Sequence, residues 1–259
     1  MKAKELLSLC EETIKIIKEA GNLILKEASG KKVYFKREKD PVTSVDLAVE
    51  EFLKERLLKL LPEVAFLGEE GEKGEVSSSQ WIVDPVDGTV NFMRSFPHYS
   101  ISLALKLEGK IRLGVIYDPI RKEIFHGVEG EGVWLNREEI KVSPLSSLSQ
   151  ALLATGFSPR LEIQKRNLLY FEKFMEKSQA LRRTGCASLD LAYVACGRLE
   201  GFWEIGLNPW DMAAGSLLVK LAGGKVTDLE GKNEYLEKGE ILATNGKIHE
   251  EMLKVFLEG

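Results

Sequence analysis

Residues 81–92 read WIVDPVDGTVNF. Trp81, Ile82 and Val83 form a short apolar run of the kind that fills a buried strand, and it leads straight into Asp84, Pro85, Val86, Asp87, Gly88 and Thr89. A surface turn explains any one of these residues. It explains poorly two carboxylates at the end of a buried strand, beside a proline that cannot donate and a glycine free to take a positive φ. The stretch reads as a strand that breaks sharply and hands the chain to a helix, with acids at the junction.

Elements of both kinds flank this junction. Residues 3–28 carry Leu6, Leu7, Ile14, Ile17, Leu23 and Ile24 at helical spacing. A second helix is expected after Thr43 and Ser44, good capping residues, with Val49, Phe52, Leu53, Leu57 and Leu60 on one face until Pro62. VAFLG, at 64–68, reads as another buried strand. Residues 99–142 change to alternation punctuated by EGK, DP and GEG, an antiparallel meander. Beyond a serine-rich connector at 143–149, ALLATGF, LEGFWEIG, GGKVTDLEG and GEILATN supply extended segments. Helices are expected around 163–176, up to about 196, at 210–222 and at 246–257. Helices set against two sheet regions predict an α+β or α/β chain, a layered αβαβα sandwich, as one domain over 1–259 with lobes of about 1–145 and 146–259.

A chain of 259 residues and 29.0 kDa is long enough to bury a sizeable core, and 44% hydrophobic with 29% charged residues is a globular composition. The net charge of −4 supplies no electrostatic reason to expect nucleic acid or an anionic membrane as partner. Glu and Lys interrupt the amino-terminal segment too often for a signal peptide, and no apolar run is long enough to span a bilayer. Cys10, Cys186 and Cys196 form no CxxC, which fits a reducing cytoplasm. Asp is scarce, eight against 32 Glu, so positions that keep Asp are chosen for geometry; the Lys/Glu richness with only four Gln hints at a thermophile.

Acids at several strand ends need cations if they are desolvated together. A salt-bridge network is one solution, yet GEE, DPVDGT and NPWD contain no Lys or Arg. Hard divalent cations fit better, magnesium above all, and three histidines placed away from these motifs argue against zinc. Gly88 and Thr89 at a helix start would leave backbone N–H groups for an anion. Two metals about 3.5–4 Å apart beside a held phosphate can polarise it and activate water. The spacing therefore points to metal-assisted phosphate ester hydrolysis.

Taken as a set, DPVTSVD (40–46), GEE (68–70), DPVDGT (84–89) and WD (210–211), followed after eleven residues by GG (223–224), resemble the inositol monophosphatase family of magnesium-dependent, lithium-sensitive phosphatases. The resemblance covers nearly the whole chain, in order. It implies a first metal site at Glu69, Asp84 and the Val86 carbonyl, and a second at Asp84, Asp87 and Asp211. A third, weaker magnesium would be held partly through Glu69. Gly88 and Thr89 match the phosphate cradle, and Asp46 with Thr89 the pair that activates water. Glu204, Gly185, Cys186, Ala187 and Arg182 match substrate-contacting positions, together with Asp87 and Asp211. The implied substrate is myo-inositol monophosphate; fructose 1,6-bisphosphate is the alternative, with Arg182, Arg183 and Arg198 as candidates for a second phosphate, and a nucleotide 3′-phosphate is a third. The resemblance also implies a homodimer, and some bacterial relatives act as regulatory partners of the transcription machinery.

Plainer roles stand beside these. Asp46 could cap its helix, Glu70 would point away as a supporting contact, and Trp210 would be packing that aims Asp211. Asp40 reads as a turn or supporting residue, and Asp118, Asp190 and Asp228 as turn or surface acids. Cys186 is a filler that thiol reagents could probe, and lysine-rich residues 30–45 form either a mobile lid or a solvated hairpin, the lid being favoured.

Overall fold

The apolar stripe at the amino terminus folds as α1 (Ala3–Glu27), and a hairpin of β1 (Val33–Arg37) and β2 (Asp40–Thr43) leads into α2 (Ser44–Leu60). The computed structural model describes residues 1–37, 40–71 and 77–258. The tip of the expected lid at residues 38 and 39, and the side chain of Asp40 with its supporting role, lie outside the described residues. Thr43 caps α2 by accepting from the N–H groups of Val45 and Asp46, and Asp46 returns the bond to the Thr43 N–H, a reciprocal cap. The helix ends just before Pro62, as expected.

Both helices cover one face of a seven-stranded sheet whose strands follow chain order: β3 (Ala65–Gly68), β4 (Gln80–Asp87), β5 (Ser100–Leu107), β6 (Lys110–Asp118), β7 (Glu123–Val128), β8 (Gly132–Leu135) and β9 (Glu138–Glu139). The pair β3–β4 is parallel and the remainder is the predicted meander. Trp81, Val83, Ile101, Leu103 and Val115 pack with Ile17, Leu53 and Leu57 of the helices, while Ile82, Ala104 and Ile116 face the other way. Because both faces are covered, β4 is buried at every position, which is why WIVD shows no polar alternation.

The short α3 (Thr89–Met93) follows β4. A second sheet, in the order β11 (Ala180–Arg182), β10 (Leu152–Thr155), β12 (Gly201–Ile205), β14 (Glu240–Thr244), β13 (Lys225–Thr227), lies beyond two helices that separate it from the first. These are α5 (Ala187–Ala195) and α6 (Pro209–Leu221), buried on nearly every side because they pack against both sheets. The approach is close enough that a Cβ on Gly114 of β6 would meet the Ala214 backbone at 3.0 Å. Phe174, Trp203, Leu242, Met252 and Phe256 seal the outer layer of α4 (Leu161–Lys177) and α8 (His249–Leu257). The five layers run αβαβα, as the pattern predicted. Among the described residues, no helix is long and apolar enough to cross a membrane.

The differences are local. One-turn α7 (Tyr235–Lys238) is too short to show periodicity, and α8 starts at His249 because residues 246–248 turn through Gly246 at φ 77°. Asp118 and Asp228 are turn acids as expected, though buried, and Asp190 is neither a turn nor a surface acid, because the packing of α5 encloses it.

Candidate active site

The break in β4 makes the site. Asp84 pairs with Ser102 and Asp87 with Ser100, so three steps on β4 oppose two on β5 and the ladder bulges between them. The Asp84 carboxylate accepts from the Val86 N–H at 3.0 Å, tying the turn from within. Gly88 follows at φ 93°, where a Cβ would press on the carbonyl oxygens of Gly185 and His98 at 3.2 Å. The bulge brings Asp84 and Asp87 to a cleft of about 340 Å³ whose lining also includes Glu69, Thr89, Glu204 and Asp211.

Each acid is anchored by one oxygen. Glu69, at the end of β3, accepts from Lys36 Nζ at 3.0 Å. Asp87 Oδ2 accepts from the N–H and hydroxyl of Ser188, both at 2.6 Å, and from the Cys186 thiol at 3.2 Å. Asp211, in the first turn of α6, accepts from the Asn208 N–H at 2.6 Å. The second oxygen of Glu69, Asp84, Asp87 and Asp211 has no protein partner among the described residues.

Burial pushes the Asp84 carboxyl well above the usual range, and the neighbouring Glu69, Asp87 and Asp211 push it further. Asp211 is raised strongly by burial and then by Glu69 and Asp87. Burial also raises Glu69 against the pull of Lys36, and Asp87 against the donors of Ser188 and Cys186. Four acids that destabilise one another's charge create a demand for cations that Lys36 alone does not meet. Among the described residues, no three His, Cys, Asp or Glu side chains close around one point tightly enough to hold an ion unaided. The donors instead line an open cleft, which suits a cation that keeps several waters and shares its shell with substrate oxygens. An all-oxygen set of carboxylates and the Val86 carbonyl fits magnesium.

Behind the cleft, Thr89 Oγ1 lies 3.0 Å from both Asp46 Oδ1 and the Val86 carbonyl. Asp46 also accepts from the N–H and hydroxyl of Thr43 through its other oxygen. The capping role and the reach toward Thr89 are therefore filled by one carboxylate. Burial raises the Asp46 carboxyl, with Thr43 and Thr89 opposing.

On the far wall, Glu204 of β12 is buried, and burial with Asp190 and Asp87 nearby pushes it up to about 8. Gly185 lines the cleft, but Arg182 does not; its guanidinium turns out to the Leu181 carbonyl at 3.0 Å, and Arg183 takes the cleft-facing place. Cys186 and Ala187 stand behind the wall rather than on it. At 1% exposure, and with burial raising its thiol far above the usual range, Cys186 is a poor target for thiol reagents. Arg198 is committed elsewhere, paired through both nitrogens with Glu123 at 2.6 and 2.5 Å. Glu70 does not line the cleft, yet it meets Lys36 Nζ at 2.6 Å and shares it with Glu69, and burial with Glu69 beside it pushes its carboxyl up to about 7.

Lys36 and Ser188 are the contributors that sequence reasoning missed. Lys36 arrives from β1, outside every acidic motif, and the absence of Lys or Arg within those motifs did not foretell it. Ser188 reaches Asp87 across 101 positions, and no local spacing signals that contact.

A family model described as the inositol monophosphatase family matches residues 6–258. A Pseudomonas aeruginosa protein named Nus factor SuhB is 42% identical over 250 residues, covering 93% of this chain and 92% of that one. The solved structure of an inositol monophosphatase from Anabaena (Nostoc) superposes with a TM-score of 0.89 at 35% identity, covering 98% of this chain and 97% of its own. That of an IMPase/NADP phosphatase in complex with Mg2+ and phosphate superposes with a TM-score of 0.87 at 28% identity, covering 97% and 95%.

Proposed function

The chain belongs to the inositol monophosphatase family, and on that footing we propose that it hydrolyses phosphate monoesters with magnesium, myo-inositol monophosphate first, with fructose 1,6-bisphosphate as the alternative substrate. The observation that carries this reading is the convergence of Glu69, Asp84, Asp87 and Asp211 on one cleft, each with an oxygen to spare, in front of the Asp46–Thr89 pair. Glu69, Asp84, the Val86 carbonyl, Asp87 and Asp211 would hold two magnesium ions; a third, through Glu69, rests on the family resemblance. When bound, the metal draws charge from the phosphoryl group and makes water a better nucleophile.

The protein's own groups do the remaining work. Gly88 and Thr89 line the cleft at the start of α3, where their backbone N–H groups would receive the phosphate. Thr89 Oγ1 accepts from the attacking water while its own hydrogen points to Asp46, so the proton moves toward the Asp46 carboxylate. Asp46 must be ionised to receive it, and because its carboxyl is raised, the rate falls on acidification sooner than an ordinary aspartate would dictate. Glu204, and Arg183 in the place expected for Arg182, face the alcohol that leaves.

Inorganic phosphate release from inositol 1-phosphate and fructose 1,6-bisphosphate, in parallel with Mg2+ and with EDTA, tests this. Magnesium-dependent release from either supports the chemistry and the ratio ranks the substrates; no release from both refutes them. A homodimer belongs to the same reading and is checked by sedimentation.

The name of the Pseudomonas relative favours a second role, as a regulatory partner of the transcription machinery, and stands against the expectation that no nucleic-acid system is involved. That role predicts a cellular task that survives Asp87→Asn.

A further inference from the structure

Asp190 is a buried acid that the proposed chemistry leaves unused. It lies one turn into α5 at 1% exposure, and its Oδ2 accepts from the Thr184 hydroxyl at 2.7 Å. Its Oδ1 is buried without a partner among the described residues. An apolar side chain would fill that space without the cost of an open carboxyl oxygen, so the distinctive contribution of the acid is its hold on Thr184.

Thr184 leads onward to the cleft. The carbonyls of Thr184 and Gly185 accept from Asn91 Nδ2 at 2.9 and 3.4 Å, and the same amide group donates to the His98 carbonyl at 2.8 Å. Asn91 sits in α3, two residues after Thr89, and the Gly185 carbonyl lies against Gly88. Asp190, Thr184 and Asn91 thus form a hydrogen-bonded strut from the middle helix layer to the segment that carries Gly88 and Thr89. The same helix holds Asp87 through Ser188, so α5 braces the cleft at two points.

We propose that Asp190 is a positioning residue: acting through Thr184 and Asn91, it sets where Gly88 and Thr89 stand relative to Asp46 and Asp87. The proposal rests on the phosphatase reading of this cleft. The strut needs an acceptor at position 190 rather than a charge. Burial raises the Asp190 carboxyl well above the usual range, with Thr184 opposing, Asp87 adding to the rise and Arg183 opposing it. Asparagine is therefore the conservative replacement.

The test compares Asp190→Ala, Asp190→Asn, Thr184→Val and the Asp190→Ala/Thr184→Val double variant, in phosphate release and in backbone hydrogen exchange over residues 87–93. Asp190→Ala and Thr184→Val should each lower kcat about tenfold with KM nearly unchanged, and speed exchange over 87–93. The double variant should be no worse than either single change, because both break one link, and Asp190→Asn should behave as the parent. Thr184→Val removes only a half-buried hydroxyl bond, so it keeps the test decisive if Asp190→Ala does not fold. Unchanged exchange in Thr184→Val, additive losses, or an Asp190→Asn variant as impaired as Asp190→Ala would overturn the strut. If the parent protein released no phosphate from either ester, the phosphatase reading would fall, while exchange would still decide whether the strut exists.

Discussion

Asp84, at the β4 bulge, and Asp228, in the turn after β13, are both fully buried aspartates, and their surroundings treat them in opposite ways. Asp228, after β13, accepts from the N–H groups of Glu230 and Lys232 at 2.9 and 2.7 Å and from Lys238 Nζ at 2.8 Å. Burial alone would raise its carboxyl, but Lys238 and those N–H groups outweigh burial and hold it below the usual range. Asp84 has one N–H donor and three acids nearby, and its carboxyl rises. Nearby His249 is satisfied by the fold in another way: burial and Lys225 push its ring down to about 4 and keep it neutral, while its two ring nitrogens meet the hydroxyls of Thr227 and Thr244 at 3.1 and 3.0 Å. Burial of a polar group does not distinguish structure from function. The distinction is whether the fold itself balances the charge or leaves the balance to something that binds.

The largest effect should come from removing the unbalanced charge. Asp84→Asn should lower phosphate release by about a thousandfold or more, since metal-derived stabilisation of the transition state is worth several kcal/mol. The same change should raise the melting temperature of the metal-free protein, because the amide oxygen keeps the Val86 bond while the repulsion from Glu69, Asp87 and Asp211 disappears. A variant that is inactive and also less stable without metal would break the contrast with Asp228.

Next in size, Thr89→Ala should cut kcat by about a hundredfold, the lower end for general base catalysis, with little change in KM. Steady-state kinetics separates the two. A defect confined to KM would remove Thr89 from the proton path and leave it a cradle residue.

How far the site was legible follows the same line between local and distant cause. The Gly88 break before a helix and the Thr43 cap are written in consecutive residues, so WIVDPVDGT and DPVTSVD disclosed them; the bulge that carries β4 past Asp84 to Asp87 was not foreseen, because it depends on pairing with β5. The layers were legible because helical and alternating periods report burial on one face or two. Lys36 was not, since its approach to Glu69 depends on how the β1–β2 hairpin lies over the cleft. Arg182 and Arg183 show how fine the margin is: at the end of a strand successive side chains point to opposite sides, so an error of one residue exchanges cleft for solvent. Asp190 was misread because its burial is decided by the packing of α5 between two sheets.

Asp228→Asn tests the balanced side and should do less. The Asn oxygen can keep the bonds from Glu230 and Lys232, but its amide nitrogen faces Lys238, so the melting temperature should fall by about 3 °C with kcat unchanged. A carboxyl held low in the fold adds stability above its unfolded value, near 3.8, and that stability is lost as pH falls through the lower folded value. The gap between parent and variant should therefore close in acid. A gap that persists there would point to packing rather than charge.

Glu204→Gln should have the smallest effect below pH 4.5, and it sharpens the comparison because Glu204 is an unbalanced acid that escapes the conflict by staying protonated. Its folded value of about 8 lies above its unfolded value of 4.5. Protonation thus favours the fold below 4.5, and that contribution fades as pH climbs through about 8. In the metal-free protein at pH 4, where the side chain is protonated in the folded and largely in the unfolded chain, the glutamine variant should melt within about 1 °C of the parent, because an amide replaces a neutral acid of the same shape. Between pH 4.5 and about 8 the parent should lose stability that the variant keeps, and above about 8 the gap should stay constant. Cations in the cleft would lower the Glu204 value and erase this divergence, so melting curves across pH with and without Mg2+ measure both the charge on Glu204 and its distance from the site that the other acids build. Parallel curves at every pH would mean that Glu204 is already ionised, and that the far wall belongs with Asp228 rather than with Asp84.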